Sequence, residues 1–180
     1  MIPHMSSFVC MALLNQAVAC MPGDQCYVNV GIWQGFSLIA AALGNERKEC
    51  IGVDNFSEFG CPKSQCMGHV ADYAPGRRMA VHDMDYRDYF AHVHRSPIGV
   101  YFYDGLHAYE HQLEGLRIAE PFFAPGCLVF VDDMNIDGPH RATQDFLAER
   151  SGAYETLFHA TTYGDCHPTY WDGLMILRRR

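Results

Sequence analysis

Five aspartates end four short apolar segments of this sequence, and their positions give the first indication of chemistry. They are Asp54, Asp83, Asp104 and the adjacent Asp132 and Asp133. If the apolar segments are parallel strands, their carboxyl ends meet at the sheet edge where such folds bind ligands. Aspartate is also a common helix N-cap and turn residue, so single members of the set could serve structure alone. The recurrence of an acid at four segment ends favours a functional edge.

Two glycines stand four residues apart in the segment Asn29 to Ser37, directly after an apolar run. Gly31 and Gly35 lack a Cβ and allow a ligand to approach the backbone closely. Their spacing differs from Gly-x-Gly-x-x-Gly, which places a dinucleotide's pyrophosphate at a helix N-terminus. A nicotinamide oxidoreductase is therefore disfavoured, and a cofactor without phosphate is favoured. Asp54, 23 residues after Gly31, is placed to accept hydrogen bonds from ribose hydroxyls.

Three carboxylates, those of Asp104, Asp132 and Asp133, are expected to lie together at the ends of neighbouring strands. Like charges at one edge repel unless a cation is shared. Oxygen ligands suit Mg²⁺, and Asn135 could add a neutral oxygen. The alternative is that these aspartates cap helices or bind a ligand without metal.

Two histidines and three aromatic residues near these positions have both a functional and a structural interpretation. His107 could be a general base or a substrate contact, or it could only begin a helix. His140 likewise has a functional and a structural interpretation. Trp33, Phe36 and Tyr109 are expected to be walls of a cofactor cleft or part of the core. Cys61, Cys66 and His69 form a weak zinc candidate, because their spacing differs from that of common structural zinc sites.

The order of apolar and polar segments predicts alternating strands and helices. Helices are expected over 6–20, 36–43, 85–94, 108–123 and 139–150, with a loop and a short helix over 61–74. Strands are expected over 26–30, 49–53, 78–82, 98–103, 127–131, 154–162 and 170–178. This alternation indicates an α/β fold with a parallel sheet covered on both faces, and the last two strands indicate a closing antiparallel hairpin.

Composition limits the partners of the chain. It has 180 residues and a formal net charge of -8, which fits one globular domain. An acidic surface argues against a nucleic-acid backbone or an anionic membrane as the main partner. No apolar run reaches the ~20 residues of a membrane span. We expect a cytoplasmic protein that acts on a small molecule and can form a homodimer.

The combined motifs resemble a known family. The segment Asn29 to Ser37 is similar to the first motif of class I S-adenosylmethionine-dependent methyltransferases of the catechol O-methyltransferase type. The run Asp104-Gly105-x-His107-x-Tyr109-Glu110, then Pro125-Gly126 and Val131-Asp132-Asp133, resembles methyltransferase domain 24 and magnesium-dependent sugar O-methyltransferases of macrolide and aminocoumarin pathways. The resemblance covers roughly residues 26–178. It implies a Rossmann-like, doubly wound sheet of seven strands in the order 3-2-1-4-5-7-6.

The resemblance also implies roles for the candidate residues. Gly31, Gly35 and Ser37 would line the methionine end of S-adenosylmethionine, and Asp54 would bind the ribose. Asp83, with His82 and Met84, would lie near the adenine. Asp104, Asp132 and Asp133 would hold Mg²⁺, and Asp104 would also contact the cofactor and help to deprotonate the acceptor. With His107, the candidate base considered above on its own chemistry, Asp104 is predicted to be catalytic. The expected reaction is O-methylation of a small-molecule hydroxyl.

Two departures from the family pattern affect this expectation. Asn29 stands where relatives have an acid for the cofactor's amino group, so cofactor affinity is expected to be reduced. The chain also begins close to its first strand, so a lid must come from residues 1–20, from 55–76 or from a second subunit. A metal-independent enzyme using His107 as base, and a non-catalytic protein that binds S-adenosylmethionine, are the alternatives.

Overall fold

A single mixed sheet of seven strands organises the chain in the computed structural model, which describes residues 1–60, 62–164 and 166–180. The strands are β1 Cys26–Val30, β2 Glu49–Asp54, β3 Met79–Asp83, β4 Ile98–Tyr103, β5 Phe123–Asp132, β6 Tyr154–Ala160 and β7 Leu174–Arg179. Their order is β3-β2-β1-β4-β5-β7-β6, and β7 runs antiparallel to β5 and β6. The predicted Rossmann-like fold class and strand order are confirmed.

Helices cover both faces of this sheet. They are α1 Phe8–Cys20, α2 Phe36–Ala42, α3 Lys63–Tyr73, α4 Tyr86–Asp88, α5 Tyr109–Ala119 and α6 Asp137–Glu149. Apolar residues of α1, α2 and α3 share one core with one face of the sheet, and those of α5 and α6 share a second core with the other face. Successive side chains along a strand point to opposite faces of the sheet, so each strand contributes to both cores. In β1, for example, Val28 belongs to the α5 side and Tyr27 to the α1 side, as the two-residue period of a strand requires.

Several element boundaries differ from the sequence prediction. The ambiguous segment 61–74 contains an eleven-residue helix, α3. The predicted helix 85–94 is one α-helical turn followed by a π-helical turn, Tyr89–Val93. The helix predicted over 108–123 ends at Ala119 and continues as a 3₁₀ turn, Glu120–Phe122. Strand β5 begins at Phe123 rather than at residue 127. It includes the expected turn at Gly126 as an irregularity, where φ is +80° and the pairing with β4 shifts register.

The order in which the chain adds strands to the sheet reverses between β1 and β4. The chain builds β1, β2 and β3 outward and then returns to place β4 on the other side of β1. In open α/β sheets this switch point opens a crevice beyond the carboxyl ends of the strands. Within the described ranges, no helix combines the length and apolar character needed to cross a bilayer.

Candidate functional site

A cleft of about 440 Å³ lies at this crevice, beyond the carboxyl ends of the parallel strands. The loops that follow β1, β2, β3, β4 and β5 all contribute side chains to it. Residues 4–6 and 55–59 also line it, so both lid segments of this chain that the sequence suggested reach the cleft. Trp171 and Asp172, just before β7, complete the lining. A mostly preformed cavity of this size is typical of a small-molecule site.

The loop after β1 lies directly against the end of β4 and leaves no room for a side chain at Gly31. Gly31 has φ +80°, and a Cβ built on it would stand 1.9 Å from the carbonyl oxygen of Asp104. Gly35 has φ +88°, and its Cβ would lie 3.1 Å from the sulfur of Cys66. Both positions therefore require glycine. Gly31 lines the cleft, whereas Gly35 lies behind the wall and shapes the turn into α2.

Trp33 occupies the middle of this loop and faces the cleft. It adopts a left-handed φ of +43° although it carries a Cβ, a conformation that is strained for a large side chain and is concentrated at functional sites. Its indole ring lies 5.6 Å from the ring of Phe59. The indole Nε1 is buried and has no hydrogen-bond partner. Trp33 and Phe36 both line the cleft, as expected of walls, whereas Tyr109 donates from its hydroxyl to Asp145 elsewhere (2.7 Å).

Asn29 is fully buried and supports the wall from behind. Its Nδ2 donates to the carbonyl of Gly31 (3.1 Å), and its Oδ1 accepts from the hydroxyl of Ser37 (2.6 Å). Ser37 lines the cleft, but Asn29 does not. The serine proton is therefore directed away from the cleft, and the oxygen keeps lone pairs for a ligand donor.

Asp54 joins the loops that follow β1 and β2. Its Oδ2 accepts from the backbone N–H groups of Ile32 (2.9 Å) and Trp33 (2.8 Å). Its Oδ1 accepts from the N–H of Phe56 (2.7 Å). Asp54 lines the cleft, and a carboxylate has about four acceptor sites. It can therefore hold the loops and still accept a bond from a ligand.

Asp83 points away from the cleft. Its carboxylate pairs with Lys63 at 2.7 Å, with both side chains about half exposed. The following residues, Met84 to Arg87, line the cleft in its place. Arg87 is bound to Glu114 and to Asp85. The wall of the cleft after β3 is thus formed by residues one to four positions later than Asp83.

The partly exposed Asp104 and the buried Asp132 form an acidic pair in the cleft. Burial and the nearby charge of Asp133 raise the pKa of Asp132 to about 7. Loss of solvent contact and the charges of Asp132 and Asp133 raise the pKa of Asp104 well above its usual range. The Oδ1 of Asp132 is buried without a hydrogen-bond partner. Two ionised carboxylates here would repel, so the pair favours a proton or a cation between them.

The carboxylate of Asp133, next to this pair, is bound by His107. Asp133 adopts a left-handed φ of +56°, and its Oδ2 lies 3.0 Å from Nε2 of His107. Burial opposes protonation of His107, but the bond and charge of Asp133 outweigh it and raise the pKa of the imidazole. The other ring nitrogen, Nδ1, is buried and unpartnered. Asp133 therefore orients His107 and leaves Nδ1 available.

A complete metal-ligand set is not preassembled. Within the described ranges, no three acidic, histidine or cysteine side chains are arranged to hold an ion. Asn135 exchanges hydrogen bonds with Thr162 instead of joining the acids. His140 lies beside His159, with ring centroids 5.5 Å apart, and does not line the cleft. Of the zinc candidates, Cys61 lies outside the described residues, Cys66 is buried, and His69 bonds to the carbonyl of Gln34.

Several residues that line the cleft were not predicted from the sequence. Those before β7 could have been found, because an antiparallel strand begins at the edge where parallel strands end, and Trp171 and Asp172 precede such a strand. Arg87 and His111 lie on helical segments, and no sequence pattern marked them.

Comparison with known proteins gives a family and a fold. Residues 28–134 match the methyltransferase domain family. No curated protein matches the chain.

Three solved structures illustrate the likeness in fold. The O-methyltransferase from Bacillus cereus, in complex with SAH, is 15% identical, with 99% of this chain and 84% of that chain covered and a TM-score of 0.76. A putative caffeoyl-CoA O-methyltransferase from Staphylococcus aureus is 14% identical, with 99% and 86% covered and a TM-score of 0.72. TomG, an O-methyltransferase from Streptomyces achromogenes involved in tomaymycin synthesis, in complex with SAM, is 15% identical, with 94% and 77% covered and a TM-score of 0.70.

Proposed function

The chain belongs to the methyltransferase domain family and is an S-adenosylmethionine-dependent methyltransferase, and we propose that it methylates a hydroxyl oxygen of a small molecule bound in the cleft. One observation carries the proposal. The glycine loop and the His107–Asp133 pair line the same cavity. A cofactor on the loop and an acceptor hydroxyl beside the histidine would therefore share one enclosed space.

The lining residues fit S-adenosylmethionine, which supplies an electrophilic methyl group when bound. The Ser37 oxygen, with its proton directed to Asn29, can accept a bond from the ammonium group. The unpartnered indole N–H of Trp33 is a donor that needs an acceptor. The remaining lone pairs of Asp54 suit ribose hydroxyls. We propose that Asn29 and Gly35 act through these residues and do not contact the cofactor, and that Met84 takes the adenine position expected near Asp83.

His107 is the proposed general base. Because Asp133 holds Nε2–H, Nδ1 is the acceptor that can take the proton of the acceptor hydroxyl. The raised pKa of His107 makes it a stronger base but leaves it protonated to a higher pH. The rate should therefore increase as pH rises through that pKa, and Asp133→Asn should move this increase to lower pH.

The acidic pair Asp104 and Asp132 supports a role for Mg²⁺ as well. The unpartnered Oδ1 of Asp132 and two adjacent carboxylates fit an ion that keeps several of its waters. Such an ion would lower the pKa of the acceptor hydroxyl. Asp133, the third predicted ligand, is engaged by His107, so we propose a site of two carboxylates.

Calorimetry with S-adenosylhomocysteine tests the cofactor assignment directly. The wild-type protein should bind it, and Gly31→Ala should not. Absence of binding to the wild type would instead favour a structural role. Sedimentation of the same samples tests the homodimer, which stays a prediction.

Thermal melting with added Mg²⁺ tests the metal site without any acceptor. The ion should raise the Tm of the wild type but not of Asp132→Asn. Asp72→Asn, an exposed change on α3, is the control. Once an acceptor is identified, activity assays compare His107→Ala with Asp132→Ala. If only His107→Ala loses activity, and the wild type keeps full activity in chelator, then His107 alone activates the acceptor hydroxyl.

A further inference from the structure

A charged cluster joins α4 to α5 at the end of the cleft that follows β3. Arg87 of α4 donates to Glu114 of α5 from both Nε (2.9 Å) and Nη2 (2.5 Å). Its Nη1 donates to the carboxylate of Asp85 at 3.3 Å, and Tyr86 donates its hydroxyl to Glu114 at 3.1 Å. Because a guanidinium is planar and holds its donors in a fixed fork, these bonds fix the orientation of Arg87 between the two helices.

The same guanidinium determines which nitrogen of a neighbouring histidine carries the proton. Nη2 of Arg87 lies 3.1 Å from Nδ1 of His111, and both residues line the cleft. Arginine has donors and no acceptor, so Nδ1 must be the unprotonated nitrogen that accepts this bond. A neutral imidazole then carries its proton on Nε2. His111 is therefore held as the tautomer in which Nε2–H is a donor.

This donor is not used by the protein itself. Within residues 1–60, 62–164 and 166–180, the imidazole of His111 makes its one hydrogen bond through Nδ1. The nearby carboxylates of Asp85 and Glu114 are both engaged by Arg87. His111 is partly exposed in the wall of the cleft, so Nε2–H is available to a ligand. A ligand group that accepts a hydrogen bond would suit this position.

The cofactor's base is the ligand group that the proposed binding mode brings to this end. That mode places the adenine against Met84, which lines the cleft three residues before Arg87. Asp83, the acid that the resemblance implies near the adenine, instead pairs with Lys63 at 2.7 Å outside the cleft. A carboxylate accepts a bond from the amino group of adenine, whereas an imidazole N–H donates to a ring nitrogen. This chain therefore offers the base a donor from α5 where an acceptor was expected after β3.

We propose that His111 donates a hydrogen bond from Nε2–H to a ring nitrogen of the cofactor's adenine. Arg87 is a positioning residue in this scheme, because it fixes the tautomer of His111 without contacting the base. The pair makes the cleft selective for a base that has an acceptor nitrogen at that edge. This inference rests on the proposed function, because it assumes that S-adenosylmethionine binds with its adenine against Met84.

Analogues of S-adenosylhomocysteine identify the nitrogen that accepts the bond. The 1-deaza, 3-deaza and 7-deaza analogues each replace one ring nitrogen of the base by C–H. Each is titrated calorimetrically, beside S-adenosylhomocysteine, into the wild type and into His111→Phe, which keeps an aromatic ring and removes both nitrogens. For one analogue, the loss of affinity relative to S-adenosylhomocysteine should be about two- to tenfold larger in the wild type than in His111→Phe, as expected for one hydrogen bond. For the other two analogues, the loss should be the same in both proteins.

His92→Phe is the matched control. It makes the same substitution at an exposed histidine of the π-helical turn that follows α4, and it should leave the losses of affinity for all three analogues as they are in the wild type.

Nuclear magnetic resonance of the imidazole nitrogens tests the tautomer without any ligand. At about pH 8, where an ordinary imidazole is neutral, His111 of the wild type should show a protonated Nε2 and an unprotonated Nδ1. Arg87→Met removes the donor to Nδ1, so His111 should then populate both tautomers. The same variant should also reduce the wild-type loss of affinity for the discriminating analogue.

The outcomes distinguish this inference from the function on which it rests. If the protein fails to bind S-adenosylhomocysteine, the proposed function is wrong. If it binds S-adenosylhomocysteine but His111→Phe discriminates among the analogues as the wild type does, the function stands and the contact with adenine is refuted. A proton on Nδ1 in the wild type, or an unchanged tautomer in Arg87→Met, would contradict the role of Arg87. Should His111→Phe not fold, the comparison of analogues in Arg87→Met decides the question in its place.

Discussion

Replacing Gly31 by alanine should disable the loop that forms the cofactor side of the cleft. The added Cβ would lie 1.9 Å from the carbonyl oxygen of Asp104, 2.5 Å from its carbonyl carbon and 2.9 Å from the nitrogen of Gly105. All three are backbone atoms at the end of β4, so no side-chain rotation can relieve the contact. Either the loop or the end of β4 must move, and both line the cleft.

The magnitude of this effect has two parts. A left-handed φ costs an L residue about 1–2 kcal/mol relative to glycine. Forcing an additional carbon into a packed site costs about 1–3 kcal/mol more. Gly31→Ala should therefore lower the free energy of unfolding by about 2–5 kcal/mol.

Gly44→Ala is a matched control for this prediction. Gly44 has φ +75°, but a Cβ there meets nothing within 4 Å. Gly44→Ala should therefore lose only the stability that a left-handed φ costs an L residue, and not the cost of a steric contact. In urea unfolding and thermal melting, Gly31→Ala should be less stable than Gly44→Ala, by roughly 2–12 °C in Tm for a domain of this size. Equal stability of the two variants, with normal S-adenosylhomocysteine binding by Gly31→Ala, would refute the close approach.

Three further predictions test other parts of the structure. Asp54→Asn should lose about 1–3 kcal/mol of stability and weaken S-adenosylhomocysteine binding in calorimetry, because an amide cannot accept all three backbone hydrogen bonds. Asp83→Asn, by contrast, should change stability by less than about 1 kcal/mol. Equal effects of the two substitutions would contradict the difference in position between Asp54 and Asp83. Burial lowers the pKa of His94 in the folded protein. Below about pH 6.5, the unfolded chain therefore binds a proton at this residue that the folded protein does not bind. The free energy of unfolding should therefore fall as pH drops from 7 towards the folded pKa, and urea titrations should show a smaller fall in His94→Gln. Gly115→Ala, whose Cβ would lie 2.2 Å from the ring of Tyr103, should push that ring into the cleft and lower S-adenosylhomocysteine affinity, and an unchanged affinity would indicate that the ring moves elsewhere.

The fold was predictable because its signals are local and repeated. Each of the five parallel strands is an apolar run that ends in a glycine, an acid or both, and the pairing of β1 with β2 and β4 follows from that order. The predicted ends of helices and strands were wrong where the chain continues in a less common conformation. Pro121 lies in the 3₁₀ turn after α5, and Gly126 with φ +80° allows β5 to continue through an irregularity.

The candidate site was only partly predictable, because residue type and strand position do not determine what a side chain contacts. Asp54 and Asp83 both end strands, yet one holds two loops and the other pairs with exposed Lys63. Asn135 had the right chemistry and sequence position for the acids, but its amide is used by Thr162. Apart from the bond between Asp54 and Phe56, these differences depend on contacts between residues that are 20 or more positions apart in the chain, which no local pattern contains.

Asp133 links the two proposed means of activating the acceptor. The sequence placed it with Asp104 and Asp132 as a third metal ligand, but its carboxylate now orients His107. If Asp133 turned towards a cation, Nε2 of His107 would lose its acceptor, and Nδ1 would no longer be fixed as the basic nitrogen. A three-carboxylate metal site and an oriented base therefore compete for this side chain, whereas a site made by Asp104 and Asp132 leaves the base intact. Asp133 also has a left-handed backbone, with φ +56°, a conformation that is concentrated at functional sites and is compatible with either role of its side chain.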